Sequence, residues 1–194
     1  MILYLASTSP RRSGLLRDAG VAFVGVEPGP EPTEAGVPVE VARARAIAKA
    51  RDAVLLGKCD PGLILGVDTV VDLDGEELGK PRDATHARAM LSRLEGRVHR
   101  VHTGYALVAW PSRELVAADV ATAVVCFDPI DDAAIQRHVE LGLHEGKAGA
   151  YGIQDAATAA FARILDGDID TVIGLPVSRL RALLAAVSEG RRSD

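Results

Sequence analysis

The chain has 194 residues, 48% of them hydrophobic, which suits one sizeable packed domain or two small lobes. Its net charge of −5 and pI near 5.6 argue against a general affinity for nucleic acid or an acidic membrane, so an anionic ligand has to be met by a local cationic site. Aromatic residues, at 4%, are too few for stacked recognition of several bases, two cysteines (Cys59 and Cys126) make no disulfide framework, and no apolar run approaches the roughly 18 residues of a membrane span.

The first residues lack the charged and apolar regions of a signal peptide, so the expectation is a soluble, cytoplasmic protein. An apolar strand over 2–5 runs into Ser7-Thr8-Ser9-Pro10-Arg11-Arg12, and a helix leaves it. Ser9 suits the N-cap and Pro10 the first helical position, where its missing N–H costs nothing. Free N–H groups, the positive end of the helix dipole, two hydroxyl side chains and two guanidiniums suit a phosphate. On this stretch alone a capped helix with two solvated arginines is an equally good reading.

The helix is expected to stop at Gly20, and residues 21–26 read as a strand. Glu27-Pro28-Gly29-Pro30-Glu31-Pro32-Thr33-Glu34 can be neither helix nor central strand. It is a solvated acidic loop or an arm that supplies a metal ligand. A long helix follows over 39–56, with Arg43, Arg45, Lys49 and Arg51 expected mostly toward solvent.

Residues 63–71 form a continuous apolar run of strand length, as in a strand buried on both faces. Asp68 interrupts it. A carboxylate there is costly unless it is paired, hydrogen-bonded or metal-bound, so it is either a buried structural aspartate or a functional one, and a strand interior is a poor place for an incidental charge. Asp74-Gly75 signals a hairpin that returns Gly79-Lys80-Pro81 toward Asp68. Asp83 caps a helix to about residue 94, ended by Gly96. Residues 98–109 and 114–127 read as an antiparallel pair, in which His99 and His102 fall on opposite faces and make a poor metal site. A helix over 131–141 leads to a glycine-rich turn, Gly146 to Asp155, whose Gln154 carries the acceptor and donors that read a base edge. A strand over 161–165, a short helical segment after Asp166-Gly167-Asp168, a break at Gly174-Leu175-Pro176 and a last helix to about 187 complete the chain.

A P-loop, a dinucleotide fingerprint, His-Glu-x-x-His, Gly-x-Ser-x-Gly and Cys-x-x-Cys are all absent from the sequence, which demotes ordinary kinases, dehydrogenases, zinc proteases and α/β-hydrolases. The cations Arg11, Arg12, Lys49 and Lys80, the carboxylate Asp68 and two glycine-rich turns add up to the mixture that polyphosphate chemistry needs. The residues themselves point to a metal-dependent nucleotide enzyme, a hydrolase.

Seven motifs in order carry a resemblance: Ala6-Ser7-Thr8-Ser9-Pro10-Arg11-Arg12, Ala46-Ile47-Ala48-Lys49-Ala50, Asp68-Thr69-Val70-Val71, Leu78-Gly79-Lys80-Pro81, Thr103-Gly104, Lys147-Ala148-Gly149-Ala150-Tyr151-Gly152-Ile153-Gln154, and Gly167-Asp168 with Gly174-Leu175-Pro176. Together they resemble the Maf family, the septum-formation-inhibitor-like nucleotide pyrophosphatases, over residues 2–187. The resemblance implies an α/β fold similar to the inosine triphosphate pyrophosphatases. That fold is an elongated mixed β-sheet flanked by helices, two lobes with a central cleft. The expected organisation is one domain over 1–188 and a frayed tail over 189–194.

The resemblance also implies hydrolysis of a nucleoside triphosphate to monophosphate and pyrophosphate with a divalent cation (Mg²⁺, Mn²⁺ or Co²⁺) in a homodimer, and the charge balance adds the expectation of no nucleic-acid or membrane partner. Asp68 matches the proton acceptor; Lys80, Arg12 and Lys49, beside Ser7, match the triphosphate holders. Arg11, Thr69 and Gln154 stand at the positions that separate the family's branches and resemble the dTTP/UTP branch. The family glutamate of the acidic loop aligns with Pro32, so either Glu31, just before it, or Glu34, two residues after, takes its place beside Asp68 at the metal, or the metal is bound more weakly; Glu31 is the nearer. The rival reading from another class is a non-catalytic nucleotide-binding regulator of cell division.

Overall fold

The apolar run around Asp68 is the central strand of the sheet. The computed structural model describes residues 2–33, 36–57 and 59–190. The strands are β1 (Ile2–Ala6), β2 (Val24–Val26), β3 (Gly62–Leu73), β4 (Glu76–Leu78), β5 (Val98–Trp110), β6 (Leu115–Phe127) and β7 (Ala162–Asp166). The helices are α1 (Pro10–Asp18), α2 (Pro38–Arg51), α3 (Ala84–Leu94), α4 (Asp132–Glu140), α5 (Ala156–Ala159), α6 (Ile169–Ile173) and α7 (Val177–Gly190). One seven-stranded mixed sheet runs β2-β1-β3-β5-β6-β7, with β4 paired to β3. The β2, β1 and β3 strands are parallel and the remaining pairs antiparallel. This is the mixed α/β fold expected.

The register leaves a gap. On one edge of β3, β1 covers Gly62 to Gly66 and β4 covers Val71 to Leu73. Among the described residues none pairs with 67–70 on that edge, an opening of about 13 Å at strand rise. The chain leaving β1 is Ser7–Arg12 and the chain leaving β4 is Gly79-Lys80, so both motifs splay out at the same break.

Two helical layers flank the sheet. On one face Leu63, Leu65 and Val67 pack under α1 and α7, while Val71, Val101, Val125 and Phe127 pack under α3 and α4. On the other face α2 lies almost on the backbone. A Cβ at Gly66 would come within 2.1 Å of the Ala46 carbonyl oxygen, and one at Gly104 within 2.3 Å of the Ala42 carbonyl oxygen. Glycine in the strands and alanine in the helix (Ala42, Ala46 and Ala50 are buried) allow this approach.

Several boundaries differ from expectation. Residues 21–23 are not strand, because Gly20 at φ +67° closes a Schellman turn: its N–H bonds to Arg17 and that of Val21 to Leu16, tying Val21 to α1. The α2 helix ends at Arg51 rather than residue 56, because Val54 turns away to bond Glu27. Ser9 sits at the N-cap of α1, but its hydroxyl makes no cap bond; Ser7 Oγ accepts the Ser9 N–H instead. The α7 helix continues through Gly190, two residues into the expected tail, and 191–194 lie outside the described residues.

Candidate functional site

At the gap in the sheet edge lies a cleft of about 350 Å³. Ser7, Arg11, Arg12, Glu31, Lys49, Asp68, Thr69, Lys80 and Gln154 all line it, so every described residue chosen from the sequence is in one place. Glu34 lies outside the described residues.

Neighbouring residues on a strand point to opposite faces, and β3 uses this at the gap. Asp68 faces α2. It is 6% exposed, and its Oδ1 accepts from Lys49 Nζ at 2.5 Å. Lys49 Nζ also meets Glu31 Oε1 at 2.7 Å. Gly29 brings that loop in: its N–H bonds to the Lys49 carbonyl, and a Cβ on it would strike the Ala48 carbonyl oxygen at 2.6 Å. Burial alone would raise the Glu31 carboxyl, but Lys49, helped by Lys80 and Arg45, holds it below its ordinary value. Asp68 Oδ2 is buried with no hydrogen bond among the described residues, and the guanidinium nearest it there, Arg45 NH1, is 4.0 Å away. Arg45 is itself committed to a forked pair with Glu77 of β4.

Thr69 faces the other way, toward α1. Arg12 donates from Nε to the Gly174 carbonyl at 2.9 Å, from NH1 to Ser7 Oγ at 3.1 Å and from NH2 to Thr69 Oγ1 at 3.1 Å. Burial pulls its pKa down to about 10, with Asp68 opposing, so it stays a cation at neutral pH. A guanidinium has five N–H donors, which leaves some for an anion. Arg11 reaches across the cleft to the Gly146 carbonyl at 3.2 Å.

The far wall is the glycine-rich turn. Gly149, at φ +66°, donates its N–H to the Gly79 carbonyl, which ties the turn to the Lys80 segment. Ala150 follows at φ +65°, an uncommon conformation for a residue with a Cβ, and His138 Nε2 meets its carbonyl at 3.0 Å. Lys147 closes the turn on Asp155 at 2.6 Å. Gln154 and Lys80 are exposed, and neither side chain makes a hydrogen bond or ion pair among the described residues. Val71, Val101, Val172, Ile173 and Tyr151 supply an apolar lining.

A divalent cation fits this donor set. Asp68 and Glu31 are close enough to share one ammonium, Asp68 has an unpartnered oxygen, and carboxylate oxygens suit a hard ion. The described residues hold no cluster of three or more potential ligands, so phosphate and water have to complete the shell.

A family model described as Maf-like protein matches residues 2–187. The chain belongs to the Maf family. Relatives include a dTTP/UTP pyrophosphatase of Symbiobacterium thermophilum, 45% identical over 94% of this chain and 92% of that protein. Those of Salinibacter ruber (44%, over 95% of this chain and 90% of that one) and Thermus thermophilus (43%, over 95% and 94%) carry the same name. A solved dITP/XTP pyrophosphatase of Mycobacterium abscessus is more distant, at 19% identity over 67% of this chain and 76% of that one, with a TM-score of 0.40.

Beside this Maf-like site the sequence reading missed Arg45 and Glu77, which pair with each other next to Asp68 without lining the cleft. Arg45 reads as one solvated arginine in a basic helix, and only its position four residues before Lys49, on the same helical face, hints otherwise. No helix of the described residues is long and apolar enough to cross a membrane.

Proposed function

We propose that this Maf protein hydrolyses dTTP and UTP at the α–β phosphoanhydride, releasing the monophosphate and pyrophosphate and clearing unwanted or modified pyrimidine nucleotides from the pool. The observation that carries the reading is Asp68 itself, a buried carboxylate that lines a cleft also walled by Arg12, Lys49 and Lys80 and whose Oδ2 has no hydrogen-bond partner among the described residues. The names of the relatives supply the substrate class.

Water attacks the α-phosphorus as the Asp68 carboxylate takes its proton, and the bond to the bridging oxygen breaks as pyrophosphate leaves. Arg12, Lys80 and Lys49 hold the triphosphate and offset the charge on the departing group. A divalent ion held by Asp68 and Glu31 would neutralise phosphate charge when bound. Gln154 meets the O4/N3 edge of uracil or thymine through its amide, and Arg11 and Thr69 bias the choice of base. Ser7 accepts from Arg12 NH1 and so orients it, which puts its hydroxyl next to an arginine assigned to the triphosphate.

The test is a panel of normal and modified triphosphates with Mg²⁺, Mn²⁺ or Co²⁺, read out as pyrophosphate. The expected result is pyrophosphate from dTTP and UTP above the purine nucleotides. Orthophosphate with a nucleoside diphosphate would replace this reaction by a phosphate-releasing one, and no product from any triphosphate would favour the regulator.

A further inference from the structure

Arg12 is not held by its neighbours alone. Thr69 Oγ1 lies 3.0 Å from Thr103 Oγ1, and Thr103 Oγ1 donates to the Thr171 carbonyl at 2.8 Å. Thr103 is completely buried, so it has no water to turn to. A hydroxyl carries one hydrogen. Thr103 spends its own on Thr171 and therefore accepts from Thr69. Thr69 spends its own on Thr103 and therefore presents only lone pairs to Arg12 NH2. The direction of each bond is fixed by the one behind it, from the buried carbonyl of α6 to the guanidinium in the cleft.

The second support of Arg12 comes from the same element. The helix α6 ends at Gly174, whose carbonyl accepts from Arg12 Nε. Gly174 stands at φ +124°, and a Cβ on it would meet Thr69 Oγ1 at 3.1 Å and Arg12 Nε at 3.5 Å. Four separate stretches of sequence thus meet around one side chain: Ser7–Arg12, Asp68-Thr69, Thr103-Gly104 and Thr171–Gly174.

We propose that Thr103 is a positioning residue for phosphate recognition: through Thr69 it forms a one-way hydrogen-bond relay from α6 that sets the plane of the Arg12 guanidinium. This rests on Arg12 being a phosphate holder, as the proposed function has it. An arginine fork recognises phosphate by its orientation, so a guanidinium free to turn loses affinity without losing charge. The relay also gives Thr69 a way to influence the ligand from a position where its hydroxyl is bonded to Arg12 and Thr103.

The experiment uses inorganic tripolyphosphate, which has no base, as the probe, with binding measured by calorimetry on the whole chain. Thr103→Val keeps the shape and removes the relay. It should weaken tripolyphosphate binding about tenfold or more. Thr103→Ser restores the hydroxyl and should come back to within about threefold of the unmodified protein. In an Arg12→Lys background, which has no planar fork to orient, Thr103→Val should cost little further. With dTTP the loss should fall mainly on KM. If Thr103→Val does not fold, Thr69→Val breaks the same relay one link nearer the cleft at a half-buried position, with the same expectation.

Unchanged binding in the folded valine variants would overturn the relay. So would an equal penalty in the Arg12→Lys background, failed rescue by serine, or no tripolyphosphate binding by the unmodified protein. If tripolyphosphate binds and obeys the relay while dTTP yields no pyrophosphate, the relay stands and the proposed reaction falls.

Discussion

Lys49 holds two carboxylates at once, Asp68 at 2.5 Å and Glu31 at 2.7 Å, and the second oxygen of Asp68 is left over. A buried carboxylate oxygen with no partner is costly in a merely structural role, because desolvation is not offset by a bond. Asp68→Asn keeps the size and a hydrogen-bonding oxygen for Lys49 while removing the base. It should lower pyrophosphate release from dTTP by about 10²-fold or more with the fold retained, checked by steady-state rates beside a thermal melt. Activity close to that of the unmodified protein would remove Asp68 from the chemistry. At this scale the sequence is informative because a charge inside an apolar strand is conspicuous. It is uninformative about Arg45, where one arginine among several in a helix carries no mark of its pairing with Glu77.

Among the elements, α2 decides where Lys49 stands in the cleft. Lys49 reaches Asp68 because α2 rests on the sheet at Gly66 and Gly104, and its last turn also receives the acidic loop at Gly29. Gly66→Ala would set a methyl against the Ala46 carbonyl oxygen and the Ala50 nitrogen, which are backbone atoms and can yield only if the helix moves. The expected loss is about 2–3 kcal/mol of stability, with activity falling further as Lys49 shifts from Asp68. Gly25→Ala in β2 has open space for the added methyl and should stay within about 0.5 kcal/mol. Urea titration of both variants is the check, and equal effects would mean that the close approach is not what holds α2. The elements themselves were legible: the Asp74-Gly75 hairpin signal, the cap at Asp83 and the apolar runs all reappear. Their ends were less so. The shortening of β2 and α2 comes from bonds to partners distant in sequence or from a turn whose second half lies past the glycine, and neither leaves a periodic trace.

The whole molecule places its cleft where the sheet edge is interrupted, and that interruption follows from a register no single segment carries. The far wall of the cleft depends in turn on packing behind it. Tyr151 of the glycine-rich turn bonds His99 Nε2 at 2.8 Å, and the His99 ring stands edge-on to Phe127 and Tyr151. His99 is 2% exposed, and burial pushes its pKa down to about 4. The unfolded chain takes up a proton at this position near pH 6.5, whereas the folded one refuses it until about pH 4. Between those values the unfolded state binds more protons, so His99 makes the fold less stable as pH falls from 6.5 toward 4, by on the order of 3 kcal/mol over the whole interval and about 2 by pH 5. His99→Gln keeps a partner for Tyr151 and removes the titration. Its stability at pH 7 should be lower than that of the unmodified protein, but the drop between pH 7 and pH 5 should be smaller by about 2 kcal/mol in urea unfolding. Equal drops in the two proteins would assign the acid response to other groups and leave His99 as packing alone.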